Sequence, residues 1–315
     1  MEFCPITLEP VPAGERFSKA GLRTLHSRLS ELAPLDLSHA EQLRQAWLRA
    51  DKMSVQGVQP KLSAVLRLKE GKFEIVDRGG HFLLKPNPLP FEDVPANEAL
   101  TMTMASSAGI EVPAHGLIPA TDGSWVYVIR RFDREGRRRR LHVEDFAQLS
   151  GATRETKYES SLERVARLLE TFCSFPALEK PKLARRLLFC FITGNEDMHL
   201  KNFSVLVRNG VVALSPAYDL LSTTLVLENA PEESALPLNG KKRALTRKLW
   251  IDYYCQERLQ LGSRQVATLL TDLRAAMPTF HQLIDRSFLS EGRKASYHQL
   301  VGERSARLGL GTDGP

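Results

Sequence analysis

A chain of 315 residues that is 43% hydrophobic can bury a large core and predicts two lobes or domains. Its net charge of +6 suits polyanionic company, but no helix-turn-helix, zinc-finger pattern or aromatic interleaving accompanies the basic residues, which argues against direct reading of DNA sequence. No apolar run is long enough to span a bilayer, the start Met1-Glu2-Phe3-Cys4-Pro5 lacks the pattern of a signal peptide, and Cys4, Cys173, Cys190 and Cys255 have no CxxC spacing; a reducing cytoplasm is the expected compartment.

Residues 1–50 carry no evident chemistry. A short helix is predicted within Ser18 to Leu29. An amphipathic helix is predicted from Ser38 to Ala50, with Ser38 as cap and Leu43, Ala46, Trp47 and Ala50 on one face. Met53 to Pro60 is a small-residue loop holding Ser54, Val55, Gln56 and Gly57 ahead of a strand that starts near Lys61. Such a loop can lay backbone N–H groups over phosphates, although with one glycine it reads, taken alone, as a plain turn. Strands follow at Phe73 to Val76 and His81 to Pro86, and the last carries Lys85 near its end. A Gly-bearing loop followed by a lysine on the third strand is the order of a kinase N-lobe.

Pro95 opens a helix that should end at Gly109, with Leu100, Met104 and Ala108 on one face. Glu98 on it either pairs with Lys85 or sits exposed in a first turn. Trp125 to Asp133 reads as a strand running into a polar stretch. In a kinase, Arg131 and Phe132 would lie there, where adenine binds backbone groups. Arg137 to Arg140 is read as a solvated hairpin turn. Helices are predicted at Val143 to Leu149, Ser160 to Phe172, Pro181 to Thr193, Thr246 to Tyr254, Ser263 to Ala276 and Thr279 to Leu289, and Gly309 to Pro315 as a frayed tail.

The most informative string is Gly194-Asn195-Glu196-Asp197-Met198-His199-Leu200-Lys201-Asn202, then Leu214-Ser215-Pro216-Ala217-Tyr218-Asp219. Between them, Phe203 to Arg208 and Val211 to Leu214 flank Asn209-Gly210, the strongest short hairpin signal. Asp197 and Asn202 therefore precede the hairpin and Asp219 follows it. Phosphoryl transfer in kinases needs this set: one Asp toward the attacking hydroxyl, an Asn and a second Asp on the metal ions. Asn195-Glu196-Asp197 stands where common kinases carry His-Arg-Asp, and Tyr218-Asp219-Leu220 where they carry Asp-Phe-Gly.

These segments, in this order over residues from about 50 to 220, resemble the HipA family of bacterial serine/threonine kinases, and in particular its shorter HipT-like branch. The Ser54-to-Lys61 loop, Phe82 to Pro86, Asn97-Glu98, Val128 to Arg134, Gly194 to Asn202 and Tyr218-Asp219 carry the resemblance. It implies an α+β fold of the bilobal protein-kinase kind. The expected division is a short N-terminal segment (1–50) on the N-lobe, the N-lobe (51–133), a helical C-lobe (134–310) and a tail (311–315). It also implies ATP and Mg2+ as cofactors, with Asp197 as base and Asn202 and Asp219 holding the metal. Lys85, the Ser54–Gly57 loop, Arg131, Phe132 and His199 would bind ATP, with Glu98, Lys201 and Tyr218 in support, and Ser54 is the family's autophosphorylation site.

The resemblance further implies the toxin of a toxin–antitoxin module that phosphorylates an aminoacyl-tRNA synthetase. Expected partners are a small helix-turn-helix antitoxin, through which alone DNA is reached, and a separate HipS-like protein, since only about fifty residues precede the loop. Two alternatives stay open: a small-molecule kinase of the aminoglycoside or choline kind, and a catalytically idle antitoxin-binding module.

Overall fold

The computed structural model describes residues 2–49, 59–136, 139–153, 155–227 and 232–311. Its chain forms two compact units. The first comprises residues 1–103, 113–132 and 282–294; the second comprises 104–112, 133–281 and 295–315.

The first unit starts with a small antiparallel pair, β1 (Glu2–Phe3) and β2 (Pro10–Val11). Helix α1 (Lys19–Leu25) is capped by Ser18, and α2 (His39–Leu48) by a capping box in which Ser38 and Glu41 satisfy each other's end of the turn. The buried face of α2 is Gln42 and Ala46. Trp47, expected on that face, is 78% exposed. Gln42 can occupy the inward position because its side-chain amide donates to the Leu37 carbonyl at 2.9 Å.

A five-stranded antiparallel sheet follows, built from β3 (Leu62–Arg67), β4 (Lys72–Ile75), β5 (Phe82–Pro86), β6 (His115–Pro119) and β7 (Trp125–Arg130), in the order β4-β3-β5-β7-β6. Alternation along the strands gives it two faces. Leu62, Ala64, Phe82, Leu84, Val126 and Val128 join Cys4, Ile6, Leu22, Leu25, Leu35 and Ala46 in one core, so the segment from Cys4 to Ala46 packs on the sheet. Lys85 and its register partner Tyr127 belong to the opposite set of positions, from which Lys85 reaches α3 (Val94–Ser107). Residues 282–294 join this unit through Arg293 on Asp93 (3.0 Å) and Phe288 against Trp125. Strand β6 carries no sequence expectation; it is short and wholly buried, and its existence depends on pairing with β7.

The second unit opens with the two-residue strands β8 (Arg134–Glu135) and β9 (Arg139–Arg140). Strand β10 (His142–Asp145) then leads into α4 (Phe146–Ser150). The expected helix at Val143 to Leu149 is thus half strand. Val143 and Glu144 pair with Leu206 and Val205, and helix begins only after Asp145, whose capping box with Gln148 fixes its start. Helix α5 (Leu162–Phe172) and α6 (Pro176–Thr193) follow. Helix α6 starts at Pro176 and carries Pro181 in its second turn, so Pro181 does not open it as the sequence suggests.

The hairpin comprises β11 (Ser204–Arg208) and β12 (Val211–Leu214) and completes a sheet ordered β10-β11-β12. Asn209 and Gly210 have φ of 50° and 79°, the double left-handed turn that matches the twist of paired strands. A π-helical stretch covers Leu249–Arg258. Helix α7 (Ser263–Arg286) runs unbroken through Pro278, where two helices were expected, and α8 (Glu291–Arg307) follows. Leu273, Met277, Phe280, Leu283 and Ile284 are buried on either side of Pro278, and that burial outweighs the lost backbone bond, worth about 3 kcal/mol. All four cysteines are buried and free of disulfides, and no described helix is long and apolar enough to cross a membrane.

Candidate active site

In the first unit, Lys85 Nζ lies 2.6 Å from Glu98 Oε1, with both side chains almost out of solvent. The ammonium also stands 5.6 Å from the centre of the Tyr127 ring. Isolated charges this deep are costly, so pairing and hydrogen bonding are what make Lys85 tolerable there. The arrangement fixes a cation near the end of β5. Arg131 follows β7 and donates its N–H to the His81 carbonyl at 2.8 Å; Phe132 is the next residue. Ser54, Val55, Gln56 and Gly57 lie outside the described residues.

In the second unit the loop from Gly194 is held by backbone geometry. Gly194 ends α6 with φ of 67°, and a Cβ there would meet Thr224 Oγ1 at 2.5 Å and Leu300 Cδ2 at 2.6 Å. Its carbonyl accepts from the hydroxyls of Thr223 and Thr224. Glu196 donates its N–H to Thr223 Oγ1 at 2.7 Å and sends its carboxylate to Arg304 of α8 at 3.1 Å. Burial pushes the Glu196 carboxyl up in pKa despite the opposing pull of Arg304.

Asp197 is half-buried and is woven into its neighbours by main-chain bonds. Its N–H donates to Asn195 Oδ1 at 3.2 Å, and its carbonyl accepts from Asn202 Nδ2 at 2.9 Å. Asn195 also reaches the Asp219 carbonyl through Nδ2 at 3.5 Å. Asp219 itself has φ of 60°, a left-handed conformation that costs an Asp about 1–3 kcal/mol and persists because its surroundings over-determine it. One source of that constraint is Tyr218, whose hydroxyl donates to the Lys201 carbonyl at 2.8 Å and meets Ser204 Oγ at 2.5 Å. Lys201 Nζ stands 3.7 Å from Asp145. Arg186, buried in α6, secures the approach to Tyr218 by donating to the Ser215 carbonyl at 2.6 Å. The structure therefore brings Asp197, His199, Lys201, Asn202, Tyr218 and Asp219 together in one unit, and Lys85 and Glu98 together in the other.

Two residues that sequence reasoning missed complete the loop. Tyr158 donates its hydroxyl to Asp197 Oδ1 at 2.6 Å, and Lys157 Nζ lies 2.6 Å from His199 Nε2. Since an ammonium only donates, His199 accepts at Nε2 and its ring proton sits on Nδ1. Burial holds the His199 pKa below its ordinary value, against Asp197 and with Lys157, which keeps the ring neutral. Its Nδ1 is buried without a partner among the described residues. The Tyr158 phenol is held above its ordinary pKa, first by burial and then by the Asp197 bond. No local spacing announces this pair: Lys157 and Tyr158 fall in a polar connection 39 and more residues ahead of the groups they touch.

Among the described residues no three His, Cys, Asp or Glu side chains form a metal cluster. The candidate metal-holding pair is instead an amide and a carboxylate, Asn202 and Asp219. With Nδ2 committed to the Asp197 carbonyl, Asn202 has its carbonyl oxygen left to offer. Hard cations of the Mg2+ type often take only one or two protein oxygens and complete their shell from phosphates and water, so this donor set fits such an ion.

An antiparallel sheet with a buried Lys–Glu pair, and a helical unit with the Asp, Asn, hairpin, Asp sequence, define a protein-kinase-like α+β fold. Within that class the family is specific. Residues 53–280 match the model of the HipA-like C-terminal domain, and the chain belongs to the HipA family. A Haemophilus influenzae protein named "Putative kinase" is 29% identical over 242 residues, covering 71% of this chain and 69% of that protein. A Sinorhizobium fredii protein, "Putative kinase Y4dM", is 35% identical over 241 residues, 71% of this chain and 57% of its own. The serine/threonine-protein kinase toxin HipA of Shewanella oneidensis is 29% identical over 215 residues, 62% of this chain and 48% of its own. The chain thus spans about half to two thirds of the length of these relatives.

Among solved structures, the Shewanella oneidensis complex of HipA, HipB and operator DNA contains a chain with TM-score 0.68 at 22% identity, covering 95% of this chain and 80% of that one. The Helicobacter pylori proinflammatory kinase CtkA gives 0.54 at 18% identity, covering 76% and 89%. At these identities the likeness establishes fold.

Proposed function

We propose that the chain is an ATP- and Mg2+-dependent kinase that transfers the γ-phosphoryl group to a serine or threonine hydroxyl of a protein. The observation that carries the reading is the hydrogen-bonded loop in which Asn195 spans Asp197 and Asp219 while Asn202 closes on the Asp197 carbonyl. These bonds hold together the backbone that carries Asp197, Asn202 and Asp219, which supports giving them the parts that phosphoryl transfer asks of a protein: a carboxylate base and two oxygen ligands for a metal. Asp197 takes the proton of the attacking hydroxyl. Asn202 and Asp219 hold the metal, which when bound neutralises charge on the phosphates. Lys85, aimed by Glu98, holds phosphate oxygens, and the Nδ1–H of His199 offers a further donor. The small-molecule alternative is disfavoured by membership of the HipA family.

The biological role inferred is that of a toxin of the HipA or HipT type, held by a HipB-like helix-turn-helix antitoxin, through which it reaches DNA. Support comes from the Shewanella oneidensis relative, named a toxin and seen with HipB and operator DNA. An aminoacyl-tRNA synthetase as target and Ser54 as autophosphorylation site rest on the sequence resemblance, as does a cytoplasmic location.

Incubation with γ-labelled ATP and Mg2+ tests the reading. Label should appear on protein, and Asp197→Ala should lower transfer by about 10²–10⁴-fold, the usual worth of a positioned base, with circular dichroism unchanged. Near-normal transfer by a folded variant refutes the assignment. Growth arrest on expression that survives Asp197→Ala would favour the idle binding module.

A further inference from the structure

A general base works only when it stands within about 2.6–3.2 Å of the proton it removes. At Asp197 that position is taken by the Tyr158 hydroxyl, 2.6 Å from Oδ1. The phenol thereby takes up one of the two carboxylate oxygens through which Asp197 could accept a proton. Left open, the same place admits water.

Tyr158 is held there by design of the loop rather than by chance. The His199 ring meets its ring edge-on, with centroids 5.0 Å apart at 81°. Lys157 Nζ lies 4.8 Å from the Tyr158 ring centre while bonding His199. The Lys157 carbonyl in turn accepts the N–H of Leu200. Yet Tyr158 is 41% exposed, so an acceptor arriving from solvent can reach it and displace its hydroxyl.

We propose that Tyr158 is a guard on the base. Its hydroxyl caps Asp197 when no acceptor is present, denies that oxygen to water, and yields it to the hydroxyl of a protein substrate. The inference rests on the kinase reading above. The phenol's raised pKa keeps it a donor in this role. The reaction it suppresses is ATP hydrolysis: a water oxygen bonds to the γ-phosphorus, the bond from that phosphorus to the bridging oxygen of ADP breaks, and the water proton passes to Asp197, leaving ADP and phosphate. Productive transfer is the same step with a serine or threonine oxygen in place of water.

The guard role and a purely supportive role for Tyr158 predict opposite signs. The full chain is incubated with γ-labelled ATP and Mg2+ without added acceptor, and label is partitioned between free phosphate and protein. Tyr158→Phe keeps the ring and removes the hydroxyl, and it should raise free-phosphate release by roughly tenfold or more, the factor that a hydrogen bond to a charged group is worth. Tyr158→Ala should raise it as well, and Asp197→Ala should abolish the rise. A fall in hydrolysis and protein labelling together, or no change in either, overturns the guard while leaving the kinase intact. Phosphotyrosine at Tyr158 by mass spectrometry would make it an acceptor and overturn the guard too. Absence of any ATP turnover in wild type and variants would overturn the kinase reading itself, and the guard with it.

Discussion

Replacing Arg304 by Met should destabilise the unit that carries Asp197. The guanidinium is 8% exposed and lies 3.1 Å from Glu196, which is 7% exposed. It also sits 4.8 Å from the Phe191 ring centre, and Nη1 is 3.9 Å from Glu233. Methionine fills much of the same volume, so the main loss is the cation. Removing one partner of a buried pair leaves an uncompensated charge and costs about 3–5 kcal/mol. The sign of the pH dependence follows from Glu196, whose pKa burial already raises. Without Arg304 it rises further. The penalty is therefore full above that raised pKa, where Glu196 is ionised, and fades as the pH falls toward 4.5, its ordinary value.

Urea denaturation followed by far-UV circular dichroism, for wild type, Arg304→Met, Glu196→Gln and the double variant, measures the coupling. The double variant should recover most of the loss, since no buried charge then lacks a partner. A single-variant cost below about 1 kcal/mol, with no coupling, is what an exposed pair would give and would refute the reasoning.

Gly194→Ala should cost about 1–2 kcal/mol from the left-handed conformation alone, and more from the clash with Thr224 and Leu300; Gly210→Ala, with open space around it, should cost only the conformational part in the same denaturation assay. Asp219→Asn should keep the fold, because Asn tolerates left-handed φ, and weaken ATP binding in the presence of Mg2+ more than in its absence; equal losses by calorimetry would count against a metal role. His115 is buried with Nδ1 donating to the Pro113 carbonyl, and burial lowers its pKa from 6.5 to about 4. The unfolded chain takes up a proton below 6.5 that the folded chain refuses until about 4, so stability should fall by about 3 kcal/mol across that window and no further below it on this account. His115→Gln should flatten that part of the acid dependence relative to wild type, and an unchanged slope would exclude His115 as its source.

Local sequence by itself determined the elements whose cause is local. Asn209-Gly210 imposes its own turn, Ser38 with Glu41 caps a helix, and alternation marks β3, while apolar runs mark β5 and β7. The Asp197, Asn202 and Asp219 spacing was legible because a short hairpin with a defined turn leaves little freedom to the residues flanking it. Elements that exist only through distant partners were not legible. Strand β6 depends on β7, the strand half of Val143 to Leu149 depends on β11, and α7 passes Pro278 because burial on both sides offsets the missing bond. Ala46 is buried as helical periodicity expects, but Trp47 on the same expected face is exposed, and the tertiary core takes Gln42 instead. At the site, Asp197 is read from its neighbours in the chain, but Tyr158 on its carboxylate and Arg304 behind Glu196 come from segments whose own sequence carries no signal. A hydrogen bond or ion pair between remote residues has no period. Only tertiary packing brings such groups, from a connection as from a helix, within reach.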